Sequence, residues 1–135
     1  MTVRFARKYI DSLFADADLM GLYHVVGVLE RKTPLPDRLW LFCRLLEWAP
    51  ARSGIWQYYN GLSVTKFERM ARALEDAGLT LLAEKYRIGR TTPTDPDQGD
   101  SLDKWLDCHE QQINHEALGL AQCEREWINA IASRS

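Results

Sequence analysis

Histidine and cysteine are the side chains with the widest chemical repertoire, and here their spacing argues against catalysis. His24, His109 and His115 are scattered along the chain. Cys108 and His109 are adjacent, with His115 and Cys123 downstream, a set that invites comparison with a zinc site. The order and spacing follow no zinc pattern, and on a helix Cys108 and His115 would stand two turns, ~10 Å, apart, too far for one ion to bridge. His109 reads instead as a semi-buried polar residue on an otherwise apolar stripe. Cys43 falls in the most apolar helical run and reads as an inert core thiol rather than a nucleophile. There is no GxGxxG, phosphate-binding loop or HExxH run, and Gly27 and Gly78 stand alone. No catalytic residue, metal or cofactor is assigned. The residues lean away from an enzyme, and the alternative that stays open is a small enzyme or ligand-binding module with a pocket among Trp56, Tyr58, Tyr59 and Trp105.

Carboxylates are the other group able to do chemistry, and they are unevenly placed. Residues 1–94 carry 14 Lys+Arg against 10 Asp+Glu, whereas residues 95–135 carry 3 against 9, within a net charge of −2. The acidic end either neutralises basic residues of the same fold or recruits a partner. Asp100, Asp103, Asp107 and Glu110 recur at three- and four-residue steps, which puts them on one side of a helix beside Leu102, Leu106, His109 and Ile113. Asp95 and Asp97, in the stretch before it, would extend the row. Such a row can take the place of phosphates in front of the Lys and Arg of a DNA-binding protein. The plainer alternative is that acids near a helix N-terminus favour its dipole and face water. The small net charge restricts any mimicry to a local strip. Arg4, Arg7, Lys8, Lys66, Arg69 and Arg72 could line a basic patch, but Glu68 is placed to pair with Arg72 and no RNA-binding signature accompanies them. Direct nucleic-acid binding is not expected.

These residues need elements to position them. The chain has 135 residues with 46% hydrophobic and 27% charged, enough for one domain with a single core. An odd number of cysteines without a CxxC pair, and an opening Met-Thr-Val-Arg-Phe without an apolar signal core, imply a reducing, cytoplasmic setting. The apolar-leaning run from Leu39 to Trp48 is too short for a membrane span, so no membrane partner is expected.

Periodicity implies helices throughout. Thr2 can cap a helix to about Ala15 with Phe5, Tyr9 and Leu13 inward. Asp16 or Asp18 opens the next, which carries Leu19, Leu22, Tyr23, Val26 and Leu29 to about Arg31, although Val25-Val26-Gly27-Val28 also suits a strand. Pro34 and Pro36 then force a break, and Asp37 to Trp48 forms a central helix, apolar over more than half its surface. After Pro50, Gly54 to Gly61 holds three aromatic rings and reads as a short helix and packing hub. Ser63 or Thr65 caps a helix with Val64, Phe67, Met70, Ala71, Leu74 and Ala77 inward, closed by Gly78. Leu79 to Ile88 follows, with Leu81, Leu82 and Tyr86 inward and Gly89 as the stop. Residues 89–100 read as an exposed loop. Ser101 caps a C-terminal helical region of one helix or two, with Asn114-His115 as the candidate break and Leu120, Trp127 and Ile131 continuing its apolar face. The expected fold is all-α, a single domain of about six to eight helices around the aromatic hub.

Three runs carry a family resemblance: Ser53-Gly54-Ile55-Trp56-Gln57-Tyr58-Tyr59-Asn60, then Arg72-Ala73-Leu74-Glu75-Asp76-Ala77-Gly78, then Ser101-Leu102-Asp103-Lys104-Trp105. They resemble the all-helical bacterial domain family named after a DNA-mimic protein, over about residues 38–130. The chain departs from the family where Arg52-Ser53-Gly54 replaces the usual Asn-Gly-Gly and where Ile55 replaces an aromatic residue. The resemblance implies a helical module that presents carboxylates to a DNA-binding protein. The expected function is thus a non-catalytic interaction module offering Asp95, Asp97, Asp100, Asp103, Asp107 and Glu110 to a basic protein. A basic nuclease held by an immunity-like inhibitor is the variant of this reading, and a homodimer is compatible with it.

Overall fold

Prolines, caps and glycines set several element boundaries. A computed structural model of the chain describes residues 5–49, 55–91 and 96–134, with side chains for all of these but 55, 56, 91, 96–100, 133 and 134. The helices are α1 (Arg7–Ala15), α2 (Leu19–Glu30), α3 (Asp37–Trp48), α4 (Ile55–Asn60), α5 (Val64–Asp76), α6 (Thr80–Thr91), α7 (Pro96–Cys108), α8 (Glu110–Cys123) and α9 (Arg125–Arg134). No strand occurs among the described residues, so the fold is all-α, as the periodicity implies. None of these helices is long and apolar enough to cross a membrane. The chain falls into two compact units, Met1–Cys43 with Asn114–Ser135 and Arg44–Ile113, and α3 and α8 contribute residues to both.

In the first unit, α1, α2 and α9 pack against one another. α1 begins at Arg7 and buries Ile10, Leu13 and Phe14, while Tyr9 is 44% exposed. The expected Phe5–Tyr9–Leu13 stripe is therefore rotated: Phe5 precedes the helix, and Ile10 and Phe14 offer apolar surface without the polar tip that keeps Tyr9 near water. Thr2, the expected cap, lies outside the described residues. Of the two acids offered, Asp18 caps α2, its Oδ1 accepting from the Gly21 N–H at 2.9 Å. Leu22, Val25, Val26 and Leu29 fill the inner face of α2, so burial of a helical stripe overrides the β-branched bias. Ile128 and Ala132 of α9 are fully buried, whereas Trp127 and Ile131 are only half-buried.

In the second unit, α5 and α6 form a hairpin that turns at Gly78, whose φ of +79° is left-handed and free of strain only for glycine. Ser63 rather than Thr65 caps α5, accepting from the Lys66 N–H at 3.1 Å. Phe67, Met70, Ala71 and Leu74 are buried, but Val64 is 63% exposed at the open end of the helix. In α6, Leu82, Ala83 and Tyr86 point inward and Leu81, expected inside, is 47% exposed. α6 also runs through Gly89 instead of stopping there. α7 starts at Pro96, a residue suited to the first helical position because its missing N–H is unneeded. The expected loop over 89–100 is thus helical at both ends, with 92–95 outside the described residues, and Ser101 lies inside α7 rather than capping it. The C-terminal region forms three helices, with joints at His109 and Glu124 and not at Asn114-His115. That brings the number among the described residues to nine.

Candidate functional site

The aromatic hub is centred on Tyr86 of α6. Its ring is fully buried and meets Trp48 of α3 edge-on at 5.3 Å, Tyr59 of α4 at 5.6 Å and Phe67 of α5 stacked at 5.4 Å. The polar tips are paired. The Trp48 Nε1–H donates to the Tyr59 hydroxyl at 3.1 Å, and that hydroxyl donates to the Tyr86 carbonyl at 2.7 Å. The Tyr58 and Tyr86 hydroxyls share a hydrogen bond of 3.0 Å. Gly89 makes the arrangement sterically feasible, because a Cβ there would fall within the Tyr59 ring. Arg90 closes the edge, its Nη1 donating to the Leu62 carbonyl at 2.8 Å and its guanidinium lying 5.4 Å from the Phe67 ring.

Such a hub is poor material for acid–base work. Burial pushes the Tyr58 hydroxyl up to about 12 and drives those of Tyr59 and Tyr86 further above the ordinary tyrosine range. All three are neutral at physiological pH. Of the residues of the expected pocket, Tyr59 is buried core and Tyr58 half-buried, and the Trp56 side chain lies outside the described residues. Trp105 is engaged with other groups, stacking on His109 at 4.3 Å with Lys85 Nζ 5.5 Å from its ring centre. The His109 Nδ1–H donates to the Trp105 carbonyl at 2.8 Å, so half-buried His109 holds the α7–α8 joint. Among the described residues no three His, Cys, Asp or Glu side chains gather as metal ligands. Cys43 is buried, while Cys108 and Cys123 are exposed.

The carboxylates divide into two groups. In the first unit Glu124 and Glu126 lie 3.7 Å from Arg38 and 3.3 Å from Arg7, and Arg125 meets Asp11 at 2.8 Å. The Arg125 hydrogen bond holds the Asp11 carboxyl below its usual range. These acids neutralise basic residues of the same unit. In the second unit the early start of α7 places Asp97, Asp100, Asp103 and Asp107 on one helix. Asp95 lies outside the described residues, as do the side chains of Asp97 and Asp100. Asp107 is exposed and Asp103 half-buried, with the Asp103 Oδ1 enclosed and lacking a hydrogen-bond partner among the described residues. Glu110, half-buried, opens α8 beyond the His109 joint.

Two features were not visible from local spacing. Arg87 of α6 takes two of the acids of α5, Glu75 at 2.8 Å and Glu68 at 3.7 Å, so Glu68 does not pair with Arg72 as its i,i+4 position implied. A concavity of about 400 Å³ lies over α2 around Gly27, and its one local signal is a glycine in mid-helix. No family model, curated protein or solved structure matches the chain.

Proposed function

We propose that the chain is a non-catalytic, DNA-mimic-like interaction module that offers the carboxylates of α7, with Glu110 beyond the joint and Asp95 before it, to a basic protein such as a DNA-binding protein. One observation carries the reading: Asp97, Asp100, Asp103 and Asp107 share a single helix. They span ~15 Å of axis within an arc of ~120°. One strand of duplex DNA carries a charge every ~3.4 Å, or about four phosphates in that length. The row therefore matches a short run of one strand in number and reach, and a partner's Lys and Arg could meet it in the same register. The filled, hydrogen-bonded hub supports a module that works through its surface. A basic nuclease fits the same strip, which would make the module an immunity-like inhibitor.

The test begins with capture of partners from native cell extract at low and high salt. The identified partner is then titrated with the wild type, with a variant carrying Asp100→Asn, Asp103→Asn, Asp107→Asn and Glu110→Gln, and with duplex DNA as competitor. Binding that falls with salt, weakens in the variant and yields to DNA is expected. Unchanged affinity in a folded variant removes the strip from the interface, and charge-dependent binding without DNA competition leaves an acidic surface but rejects mimicry.

A further inference from the structure

α2 presents an open face bearing a protrusion and a notch two turns apart. Met20 is 68% exposed, and Gly27 follows seven residues later, ~10 Å along the axis. The concavity of about 400 Å³ runs along this face from Met20 past His24 and Gly27 to Arg31. A glycine inside a helix costs about 0.8–1 kcal/mol relative to alanine, and a close neighbour usually requires it. Gly21 is such a case, since a Cβ there would meet Leu13 Cδ2 at 2.6 Å and Asp18 Oδ2 at 2.9 Å. At Gly27 a Cβ would meet no atom of the described residues within 4 Å, so their packing gives no reason for the notch. Gly119 in α8 is equally unopposed; the concavity and the exposed methionine on the same face set Gly27 apart.

We propose that this face is a twofold contact between two copies of the chain, with Met20 of each copy seated in the Gly27 notch of the other. A protrusion and a recess on one helix face complement themselves about an axis midway between them, which is the requirement of an isologous contact. With the two α2 helices antiparallel about that axis, Met20 meets Gly27, Tyr23 meets His24, and the α1–α2 corner bearing Asp16 meets the end bearing Arg31. Asp16 and Arg31 are both exposed and opposite in charge. The antiparallel pairing therefore gains an attractive pair at each end, whereas a parallel one would set like charge against like. Methionine suits the recess because its unbranched thioether adapts to irregular space. Beside the notch, Phe5 stacks on exposed Tyr9 at 6.2 Å and stands edge-on to His24 at 6.5 Å, which widens the apolar border. One helix face is a small contact, below the ~1,200 Å² of stable interfaces, so the dimer is reversible and concentration-dependent.

Sedimentation velocity of the full chain, from micromolar to millimolar concentration, is the test. A monomer passing into a dimer is expected. Gly27→Leu fills the notch and Met20→Glu charges the protrusion; each should weaken association by about tenfold or more, a loss of ~1.4 kcal/mol or greater. Both should retain the wild-type circular dichroism, because neither side chain contributes to the core. Asp16→Arg or Arg31→Asp alone should weaken the dimer and the two together restore it. A chain that stays monomeric throughout, or a dimer indifferent to Gly27→Leu and Met20→Glu, overturns the proposal. The acids of α7 play no part in this readout, so failure here and failure of partner capture are separate results.

Discussion

Tyr59 shows how one hydroxyl can hold several elements in place. It accepts from Trp48 and donates to the Tyr86 carbonyl, so Tyr59→Phe leaves a buried indole N–H without an acceptor and should cost about 1–3 kcal/mol. Urea denaturation should report this as a lower midpoint at unchanged slope; an unaltered midpoint would mean that the hydroxyl contributes nothing. The same burial sets an alkaline limit. A folded tyrosine whose pKa is raised keeps its proton while the unfolded chain loses it, so its stabilisation is complete below the unfolded value of ~10 and is lost as pH rises toward the folded value. For Tyr58 that window ends at about 12. Stability should fall by about 1.4 kcal/mol per pH unit for each buried tyrosine in the window. Phenolate absorbance from the hub should then appear together with loss of helical circular dichroism, and titration of these rings in a fully helical protein would contradict their burial.

At the scale of elements, local chemistry was legible wherever the boundary is itself local. Pro36 and Asp37 start α3, Ser63 caps α5 and Gly78 turns the hairpin, all readable from residue type. The misreadings have tertiary causes. Gly89 looks like a helix stop, but it is a glycine because the Tyr59 ring occupies the space of its Cβ. Pro96 and Gly99 look like loop residues, yet a proline can open a helix as readily as end one. Glu68 pairs across the hairpin with Arg87 because a neighbouring helix presents a better-placed cation than Arg72. The candidate strip was legible as a spacing of acids, while the notch at Gly27 was not, since an isolated mid-helix glycine does not reveal what surrounds it. Leu81 and Leu82 offer a test of the observed face of α6, at 47% and 4% exposure. Leu82→Ala should cost about 2–5 kcal/mol, and Leu81→Gln should stay within about 0.5 kcal/mol. Equal costs in thermal or urea denaturation would show that the helix is rotated.

Across the whole molecule, the acidic C-terminal part is divided between the two units. Glu124 and Glu126 face Arg38 and Arg7 in the first unit, while the acids of α7 lie in the second. Neutralising exposed Glu126 as Gln should change stability by no more than about 1 kcal/mol, the range of exposed ion pairs, neutralising half-buried Glu124 should cost somewhat more, and both should leave partner capture intact. Loss of capture on those substitutions would move the interface to the first unit. The ring cluster has an optical consequence as well. Three of the five tyrosines, Tyr58, Tyr59 and Tyr86, gather in the second unit, and the indole of Trp48 lies 5.3 Å from the Tyr86 ring. Excitation absorbed by these phenols passes to the indole while the cluster is intact and emerges as tryptophan fluorescence. Once the rings separate, the phenols emit at their own shorter wavelength, so the protein signals the opening of its hub in colour, without a label.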